Sequence, residues 1–371
     1  MILELSLSNM FSLRDEITLN LQAAKIMTPK GRALEGNFFT VGGEKILKSV
    51  AIFGANASGK SNVMKAIRAC VEMIRSSHNY NENTTFGFVP FKFEGYDQKP
   101  SSFYVRFLMD GIEYEYSFTM TQQQILTEQL YYYPNGRRSL VFSRDERKGM
   151  DKSDIYEFKP IMKRPMDVAV NTSRKTLFIS RASQMDRELA KQVFRFFCDD
   201  IVLDYHLPSI VSFDAMLENE KSDLLDILRT ADSDIVDIRI QGGSIKTFHR
   251  NNPEVAFDFE TEESDGTKTL FGMMISMMDI IRNGRLLLVD EIDTSLHTQL
   301  VEFIIGMFNS SDHAQLVYTT HNTHLLNTNL QRRDQVYFVN KRVDGSSDLY
   351  SLFDYKDFRD SYDMEKAYLQ G

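Results

Sequence analysis

The chain has 371 residues, which fits about two domains or one large domain with insertions, and its 42% hydrophobic and 26% charged residues exclude a disordered or fibrous protein. Its two cysteines, Cys70 and Cys198, are too few for a disulfide framework or a thiolate metal site, so we expect a reducing, cytoplasmic environment. No apolar run approaches the ~20 residues of a membrane-spanning helix, and the first residues alternate between polar and apolar, so we expect neither a membrane protein nor a secreted one.

The charge of the chain is unevenly distributed. A net charge of −9 argues against a uniformly basic nucleic-acid-binding protein. Between Arg137 and Arg195, however, 15 Lys and Arg residues stand against 8 Asp and Glu residues. Two interpretations of this basic segment (residues 137–195) stay open: a solvated, salt-bridged surface, or a face for an anionic partner such as nucleic acid.

The first predicted elements are strands, followed by a strand–loop–helix unit. Apolar and polar residues alternate over residues 2–7 and again over 17–21, which predicts β-strands. The apolar run 49–53 predicts a short buried strand that leads directly into the sequence GANASGKS. Apolar residues at helical spacing follow at Val63, Ile67, Val71 and Ile74.

The middle of the chain changes to a period of two between residues 103 and 144. Asp110-Gly111 and Asn135-Gly136 are strong hairpin signals, because both central positions of such turns favour positive φ. An antiparallel β-meander is therefore predicted. From about residue 186 to residue 231 the apolar spacing becomes helical again.

The last third alternates between strands and helices. Strands are predicted at 236–240, 254–259, 286–289, 315–319 and 335–339, and helices at 267–282 and 298–308. Apolar strands separated by helices are typical of a parallel sheet buried on both faces. We therefore predict an α/β fold with a parallel core sheet, an antiparallel β-subdomain and a short helical insertion. Its four segments are an N-terminal lobe (1–85), the β-subdomain with the basic segment (86–185), the helical insertion (186–235) and a C-terminal lobe (236–371).

Residues 54–62, GANASGKSN, fit the phosphate-binding loop pattern GxxxxGK[ST] and lie between a predicted strand and a predicted helix. The glycines let backbone N–H groups converge on phosphates, and the helix start adds the positive end of its dipole. Lys60 would reach the β- and γ-phosphates, and the Ser61 hydroxyl would bind Mg²⁺. The candidate nucleotide-binding residues are Gly54, Ala55, Asn56, Ala57, Ser58, Gly59, Lys60, Ser61 and Asn62.

Two acidic residues end the apolar strand at 286–289. Ligands of α/β sheets bind at the carboxyl ends of the strands, where Asp290 fits a Mg²⁺ ligand and Glu291 fits the base that polarises the attacking water. His321 follows the next strand along the chain and fits a γ-phosphate sensor. Glu291 and His321 are therefore the candidate catalytic residues.

The segments GANASGKSN, ESDGTKTLF, LLLVDEIDTSLH and TTHNTHLL, in this order, resemble the ABC-type ATPases of the SMC and overcoming-lysogenization-defect groups. They are most similar to the AAA-domain family of small bacterial ATP-binding proteins associated with abortive infection and phage defence. The resemblance covers nearly the whole chain. It implies an ABC-ATPase P-loop fold, ATP and Mg²⁺ as cofactors, and hydrolysis of ATP to ADP and phosphate.

In that family the segment Glu263–Thr267 takes the place of the ABC signature. The resemblance implies that Ser264, Gly266 and Thr267 contact the γ-phosphate bound to a second subunit. It also implies that Asp293 lies in the D-loop along the same seam. A head-to-tail, nucleotide-sandwich homodimer is therefore expected, possibly within a higher oligomer.

The chain departs from the family pattern in four places. Asp265 stands where the ABC signature has glycine. The N-terminal element lacks the usual basic residue, and Arg14 is its only near substitute. No glutamine can be assigned to the Q-loop. The family also tends to continue beyond the closing YLQG, so we expect a truncated chain.

Several functions have to be weighed for this set of motifs. A GTPase is rejected because Asn340-Lys341-Arg342-Val343 lacks the final Asp of the guanine clamp. The favoured hypothesis is a sensor or regulatory ATPase of an anti-phage system, acting with a separately encoded effector such as a nuclease or toxin. The alternatives are a nucleotide-gated scaffold with little turnover that holds such an effector, and an SMC-like ATPase of DNA repair. Steady-state ATP hydrolysis separates the first hypothesis from the scaffold.

Overall fold

The computed structural model of the protein describes residues 1–203, 217, 221–222, 224–226, 228–229, 234–294, 296–355, 358 and 363–370. The chain forms two compact units: residues 1–203 together with 284–371, and residues 204–283. These unit boundaries differ from those of the four predicted segments. The part of the predicted helical insertion beyond residue 203 lies mostly outside the described residues.

The strands in the described part of the chain belong to four sheets. In chain order they are β1 (Ile2–Ser8), β2 (Ile17–Asn20), β3 (Phe38–Val41), β4 (Glu44–Leu47), β5 (Ser49–Phe53), β6 (Ser101–Met109), β7 (Ile112–Met120), β8 (Ile125–Tyr132), β9 (Ser139–Asp145), β10 (Tyr156–Phe158), β11 (Ile201–Val202), β12 (Ile235–Gln241), β13 (Ser244–His249), β14 (Asn252–Asp258), β15 (Leu286–Val289), β16 (Gln315–Thr319), β17 (Val336–Lys341) and β18 (Ser347–Ser351).

The α-helices that lie wholly within the described residues range from single turns to helices of five turns. They are α1 (Pro29–Ala33), α2 (Lys60–Ser76), α3 (Lys152–Ile155), α4 (Pro165–Val170), α5 (Phe178–Gln184), α6 (Glu188–Arg195), α7 (Phe259–Glu262), α8 (Asp265–Arg282), α9 (Thr298–Ser310) and α10 (Met364–Leu369). Within the described residues, none of them combines the length and the apolar character that crossing a membrane requires.

The predicted meander forms part of an antiparallel sheet of seven strands in the order β10-β9-β8-β7-β6-β1-β2. Asp110 and Gly111 adopt the positive φ values, 52° and 75°, that the β6–β7 turn was predicted to need. The N-terminal strand β1 pairs with β6, with Leu5 opposite Val105. Strands of the first and second predicted segments therefore share one sheet.

The second large sheet has six strands in the order β11-β15-β16-β5-β17-β18. All neighbours in it are parallel except the hairpin β17–β18. β5, β15 and β16 are buried along their whole length, as apolar strands of a parallel core must be. The α/β class with a parallel core sheet and an antiparallel β-region is confirmed.

Helix α2 contributes one side to the main core. Val63, Ile67, Val71 and Ile74 are all buried, which confirms the face predicted from their spacing. The same core includes Phe103 of the antiparallel sheet, so the helix and both large sheets share one apolar interior. This packing fixes the loop before α2, where the candidate site lies.

The second unit contains the three-stranded antiparallel sheet β12-β13-β14 and helices α7 and α8. Ser264 is the N-cap of α8, and its side chain accepts a hydrogen bond from Thr267 N (3.1 Å). The long apolar helix predicted after the signature-like segment is confirmed. Its start is anchored to the sheet, because the buried Glu263 carboxylate contacts the Thr247 hydroxyl and His249 Nε2.

Candidate functional site

The phosphate-binding loop has the strand–loop–helix order that the sequence predicts. β5 ends at Phe53 and α2 begins at Lys60. Gly59, at the end of the loop, has a φ of 113°, in the region that favours glycine. A β-carbon at Gly59 would also overlap Ser347 Oγ, so backbone conformation and close approach both require glycine here.

Lys60 lies inside this loop with its ammonium group turned back onto it. Nζ donates hydrogen bonds to the carbonyl oxygens of Gly54 (2.7 Å) and Ala55 (3.0 Å), and lies 3.2 Å from His321 Nδ1. Burial lowers the pKa of Lys60, although the carboxylates that follow β15 act in the opposite direction. The hydrogen-bond acceptors of the ammonium are thus neutral, so its positive charge is available to an anionic ligand.

Parallel pairing of β15 with β16 brings two predicted segments to one edge of the sheet. Thr319, the last residue of β16, donates from Oγ1 to Asp290 Oδ1 (2.6 Å) and accepts from Glu291 N (2.7 Å). Glu291 has a φ of 54°, which is uncommon for a residue with a side chain. Thr319 therefore orients both acidic residues. Sequence reasoning did not select it, although it directly precedes the Thr320-His321 motif.

His321 lies between the lysine and the predicted base. Its Nδ1 faces the Lys60 ammonium, which can only donate, so Nδ1 must carry a lone pair. In a neutral imidazole the proton is then on Nε2, which lies 3.5 Å from Glu291 Oε1. The Glu291 side chain is 46% exposed and also accepts from Thr294 Oγ1 (3.3 Å), so solvent can reach the carboxylate.

A cavity of about 580 Å³ opens over the loop. The predicted residues that line it are Asn56, Ala57, Ser58, Gly59, Lys60, Ser61, Asn62, Glu291 and His321. Four lining residues were not predicted: Ser12, Lys341, Gly345 and Ser347. Three of them come from the β17–β18 hairpin, whose polar sequence reads as a solvated turn.

The residues around this cavity fit a nucleoside triphosphate with Mg²⁺. No β-carbon fits at Gly54 or Gly59, since it would lie 2.6 Å from Val339 O at Gly54 and would overlap Ser347 Oγ at Gly59, so the loop backbone carries no side chain at these two positions. The Ser61 hydroxyl and the Asp290 carboxylate are oxygen ligands of the kind that Mg²⁺ prefers. Among the described residues no group of three or more His, Cys, Asp or Glu could hold a metal by itself.

The signature-like residues belong to the second unit. Ser264, Asp265 and Gly266 are exposed at the start of α8, while Thr267 is buried. The carboxylate of Asp265, the departure from the signature pattern, pairs with Lys268 (2.8 Å), and this hydrogen bond lowers the pKa of Asp265. A β-carbon at Gly266 would meet Ser264 Oγ at 3.8 Å, an ordinary van der Waals distance.

Asp293, the predicted D-loop residue, lies two positions after Glu291. Its Oδ1 is buried and has no hydrogen-bond partner in the described part of the chain. Such an atom is costly to bury in isolation.

The solved structures that are similar to this chain include two SMC head domains. The SMC head domain from Thermotoga maritima is 14% identical over 94% of this chain and 98% of that chain, with a TM-score of 0.44. The SMC head bound to the C-winged helix domain of ScpA is 16% identical over 99% of each chain, with a TM-score of 0.43. No curated protein matches the chain.

A family model described as "AAA domain, putative AbiEii toxin, Type IV TA system" matches residues 49–327. The match begins at β5 and therefore includes the phosphate-binding loop, the signature-like segment, the acidic pair and the histidine. It covers more than half of the chain and confirms the resemblance that the motifs indicate. The chain belongs to this AAA-domain family.

Proposed function

We propose that this protein is a Mg²⁺-dependent ABC-type ATPase that hydrolyses ATP to ADP and phosphate and works as a nucleotide-sandwich homodimer. The observation that carries the proposal is the meeting of Lys60, His321 and Glu291 at one cavity, with Asp290 held beside them by Thr319. Every one of these groups has a role in phosphoryl transfer to water.

Each of the residues at this site has a distinct role in the proposed reaction. Lys60 binds the terminal phosphates, exchanging its contacts with loop carbonyls for charged ones. Ser61 and Asp290 would hold Mg²⁺, which when bound neutralises charge on the phosphate chain. Glu291 accepts a proton from the attacking water, and His321 orients the Glu291 carboxylate through Nε2–H.

The proposed dimer rests on the start of α8. Ser264, Asp265 and Gly266 are exposed at the start of this helix, and a helix N-terminus attracts an anion. Pairing of Asp265 with Lys268 reduces the repulsion that its carboxylate would exert on a phosphate. We propose that Ser264, Gly266 and Thr267 bind the γ-phosphate held by a second copy, with Asp293 on the same seam.

The biological part of the proposal is regulation of a bacterial anti-phage response by abortive infection. The family description names a toxin of a type IV toxin–antitoxin system, which supports a defence role. We propose a cytoplasmic protein that controls a separately encoded nuclease or toxin.

Calorimetry with ATP and measurement of phosphate release test the biochemical proposal. The wild type should bind and hydrolyse ATP, and Lys60→Met should abolish binding, whereas Lys65→Met, an exposed lysine on the same helix, should not. Turnover that stays negligible while ATP binds tightly would favour the nucleotide-gated scaffold.

Gly266→Glu tests the composite site. The substitution should block closure of the dimer while each monomer still binds ATP, because Gly266 has room within its own chain. Gly306→Glu is the matched control, since Gly306 is also a helical glycine with open space. Normal hydrolysis by Gly266→Glu would exclude the nucleotide sandwich.

A further inference from the structure

The β17–β18 hairpin forms a wall of the cavity that the sequence did not reveal. β17 runs parallel to β5, with Phe338 opposite Phe53, so the residues after Phe338 lie alongside the phosphate-binding loop. Lys341, the last residue of β17, is paired with Ser347, the first residue of β18. Lys341 and Ser347 both line the cavity.

Ser347 fixes this hairpin to the loop. Its Oγ lies 2.7 Å from Ser58 O and 2.8 Å from Ser12 Oγ. Ser12 Oγ also accepts a hydrogen bond from Asn62 Nδ2 (2.8 Å), in the first turn of α2. Because Lys341 is the cross-strand partner of Ser347, the same contacts determine where the backbone of Lys341 lies.

Lys341 is available as a cation, whereas its basic neighbours are not. Arg14, the near substitute for the missing basic residue of the N-terminal element, pairs with Asp344 (2.6 Å), Asp15 (2.9 Å) and Glu94 (3.3 Å). Arg342 pairs with Asp15 (2.7 Å) and Asp348 (2.9 Å).

The Lys341 ammonium, by contrast, has no carboxylate partner among the described residues, and its side chain is exposed. Among the described residues that line the cavity, the lysines are Lys60 and Lys341.

The two lysines serve different ends of the cavity. His321 Nδ1 contacts the ammonium of Lys60, the group that reaches the β- and γ-phosphates of a bound nucleotide, and His321 Nε2 faces Glu291. The hairpin instead contacts the loop at Ser58 and, through Ser12, the helix at Asn62. That part of a phosphate-binding loop lies toward the α-phosphate, because its backbone N–H groups cradle the α- and β-phosphates.

We propose that Lys341 binds the α/β end of the nucleotide's phosphate chain and supplies the positive charge that Arg14, held by its three carboxylates, does not supply. This assignment rests on the proposed function, because it specifies how the same cavity holds its nucleotide. A cation at the α/β end contacts groups that ADP and ATP share. Lys341 should therefore strengthen binding of both nucleotides by the same factor.

The experiment is calorimetric titration of the full chain with ADP and, separately, with a non-hydrolysable ATP analogue. Lys341→Gln should lower both affinities about 10-fold, the scale of losing one charge-assisted contact. Lys341→Arg should stay within about threefold of the wild type because it keeps the charge. Lys163→Gln, which removes the same charge from an exposed lysine that does not line the cavity, should change neither affinity.

Equal affinities of Lys341→Gln and the wild type for ADP would overturn the assignment. A loss confined to the triphosphate analogue would overturn it as well, since the lysine would then act at the γ end. A wild-type protein that binds neither nucleotide would instead overturn the proposed function itself, so the two failures are distinguishable.

Discussion

Two groups of buried charge in the same compact unit are built in opposite ways. Around Arg144 every charged group has its partner within the chain. The guanidinium is fully buried and donates to Thr176 O (2.6 Å), Ser173 O (2.9 Å) and Glu146 Oε1 (2.9 Å). Glu128, also fully buried, lies 3.6 Å from Arg144 Nη1.

Glu128 is in turn fully hydrogen-bonded. Its carboxylate accepts from the backbone N–H groups of Phe178 (2.6 Å) and Ile179 (3.0 Å) at the start of α5, and from the Tyr116 hydroxyl (2.8 Å). The cluster therefore joins β7, β8 and β9 to α5 with no unpaired charge.

The cavity around Lys60 is incomplete by comparison. Lys60 is only 4% exposed, yet its partners are neutral carbonyl oxygens and an imidazole. Burial lowers the pKa of Lys60, and the neighbouring carboxylates do not reverse that effect. Burial alone would lower the pKa of Arg144 too, but Tyr156, Glu128 and Glu146 outweigh it and the pKa is raised. The Arg144 cluster stabilises the fold. The Lys60 ammonium, in contrast, has no anionic hydrogen-bond partner among the described residues, and an anionic ligand can supply one.

The largest expected effect comes from breaking the complete cluster. Arg144→Met should lower the free energy of unfolding by about 3–5 kcal/mol, because Glu128 would then be buried without a cation and Glu146 would keep only Arg174 and Lys152. Urea denaturation followed by circular dichroism measures it. Arg147→Met is the control: Arg147 pairs with Asp145 at the surface, so its loss should not be measurable. Equal behaviour of the two variants would remove the distinction between the two regions.

Glu291→Gln tests the incomplete cavity at its exposed carboxylate. Hydrolysis should slow by about 10²-fold or more, since the amide cannot accept the proton, while ATP affinity is retained and the ATP-bound dimer accumulates. Single-turnover hydrolysis and light scattering measure the two effects. Glu82→Gln, an exposed glutamate outside the cavity, should behave as the wild type. Unchanged turnover in Glu291→Gln would contradict a catalytic role for Glu291 and leave it only a structural role after β15.

Local signals explain which parts of the fold the sequence predicts. The β8–β9 turn at Asn135-Gly136 adopts φ values of 56° and 74°, so the residue types alone define the hairpin. Pairing of β1 with β6 has no such signal, because residues about a hundred positions apart meet only through the tertiary fold. The antiparallel sheet is consequently larger than the meander predicted from periodicity.

The candidate site likewise contains residues that could be predicted from the sequence and residues that could not. Lys60, Glu291 and His321 could be predicted because each stands in a motif beside a strand end. Lys341 and Ser12 could not, because their role depends on how a distant hairpin and the N-terminal segment pack on the loop. Nor does composition distinguish a paired cation from a free one, which is the difference between Arg342 and Lys341.

The stability of Lys60→Met is a further test of the difference between the Arg144 cluster and the cavity around Lys60. Removing a desolvated ammonium whose contacts are neutral should leave the free energy of unfolding unchanged or raise it by at most about 1 kcal/mol, although nucleotide binding is lost. Denaturation of the nucleotide-free protein measures it, with Lys65→Met as the control. A destabilisation comparable to that of Arg144→Met would mean that Lys60 belongs to the folded framework and not to the ligand site.

The smallest expected effect concerns the basic segment (residues 137–195), whose cations can be compared with Arg144 in how they are paired. Most of its cations have partners within the chain, as Arg144 does. The paired residues are Arg138 with Glu115, Arg147 with Asp145, Lys159 with Glu157, Arg174 with Glu146, Arg187 with Asp167 and Lys191 with Asp186. Arg137, Lys163 and Arg164, by contrast, have no carboxylate partner in the described ranges.

Reversal of Arg137, Lys163 and Arg164 to Glu therefore tests the two interpretations of the segment. If it is a solvated, salt-bridged surface, the affinity for duplex DNA at about 150 mM salt should change by less than about twofold. If it is a nucleic-acid face, three phosphate contacts are lost. The slope of log affinity against log salt should then fall by roughly 0.9 for each contact. A variant with glutamine at the same three positions separates loss of attraction from added repulsion. Because most cations of the segment already have partners, we expect the first outcome.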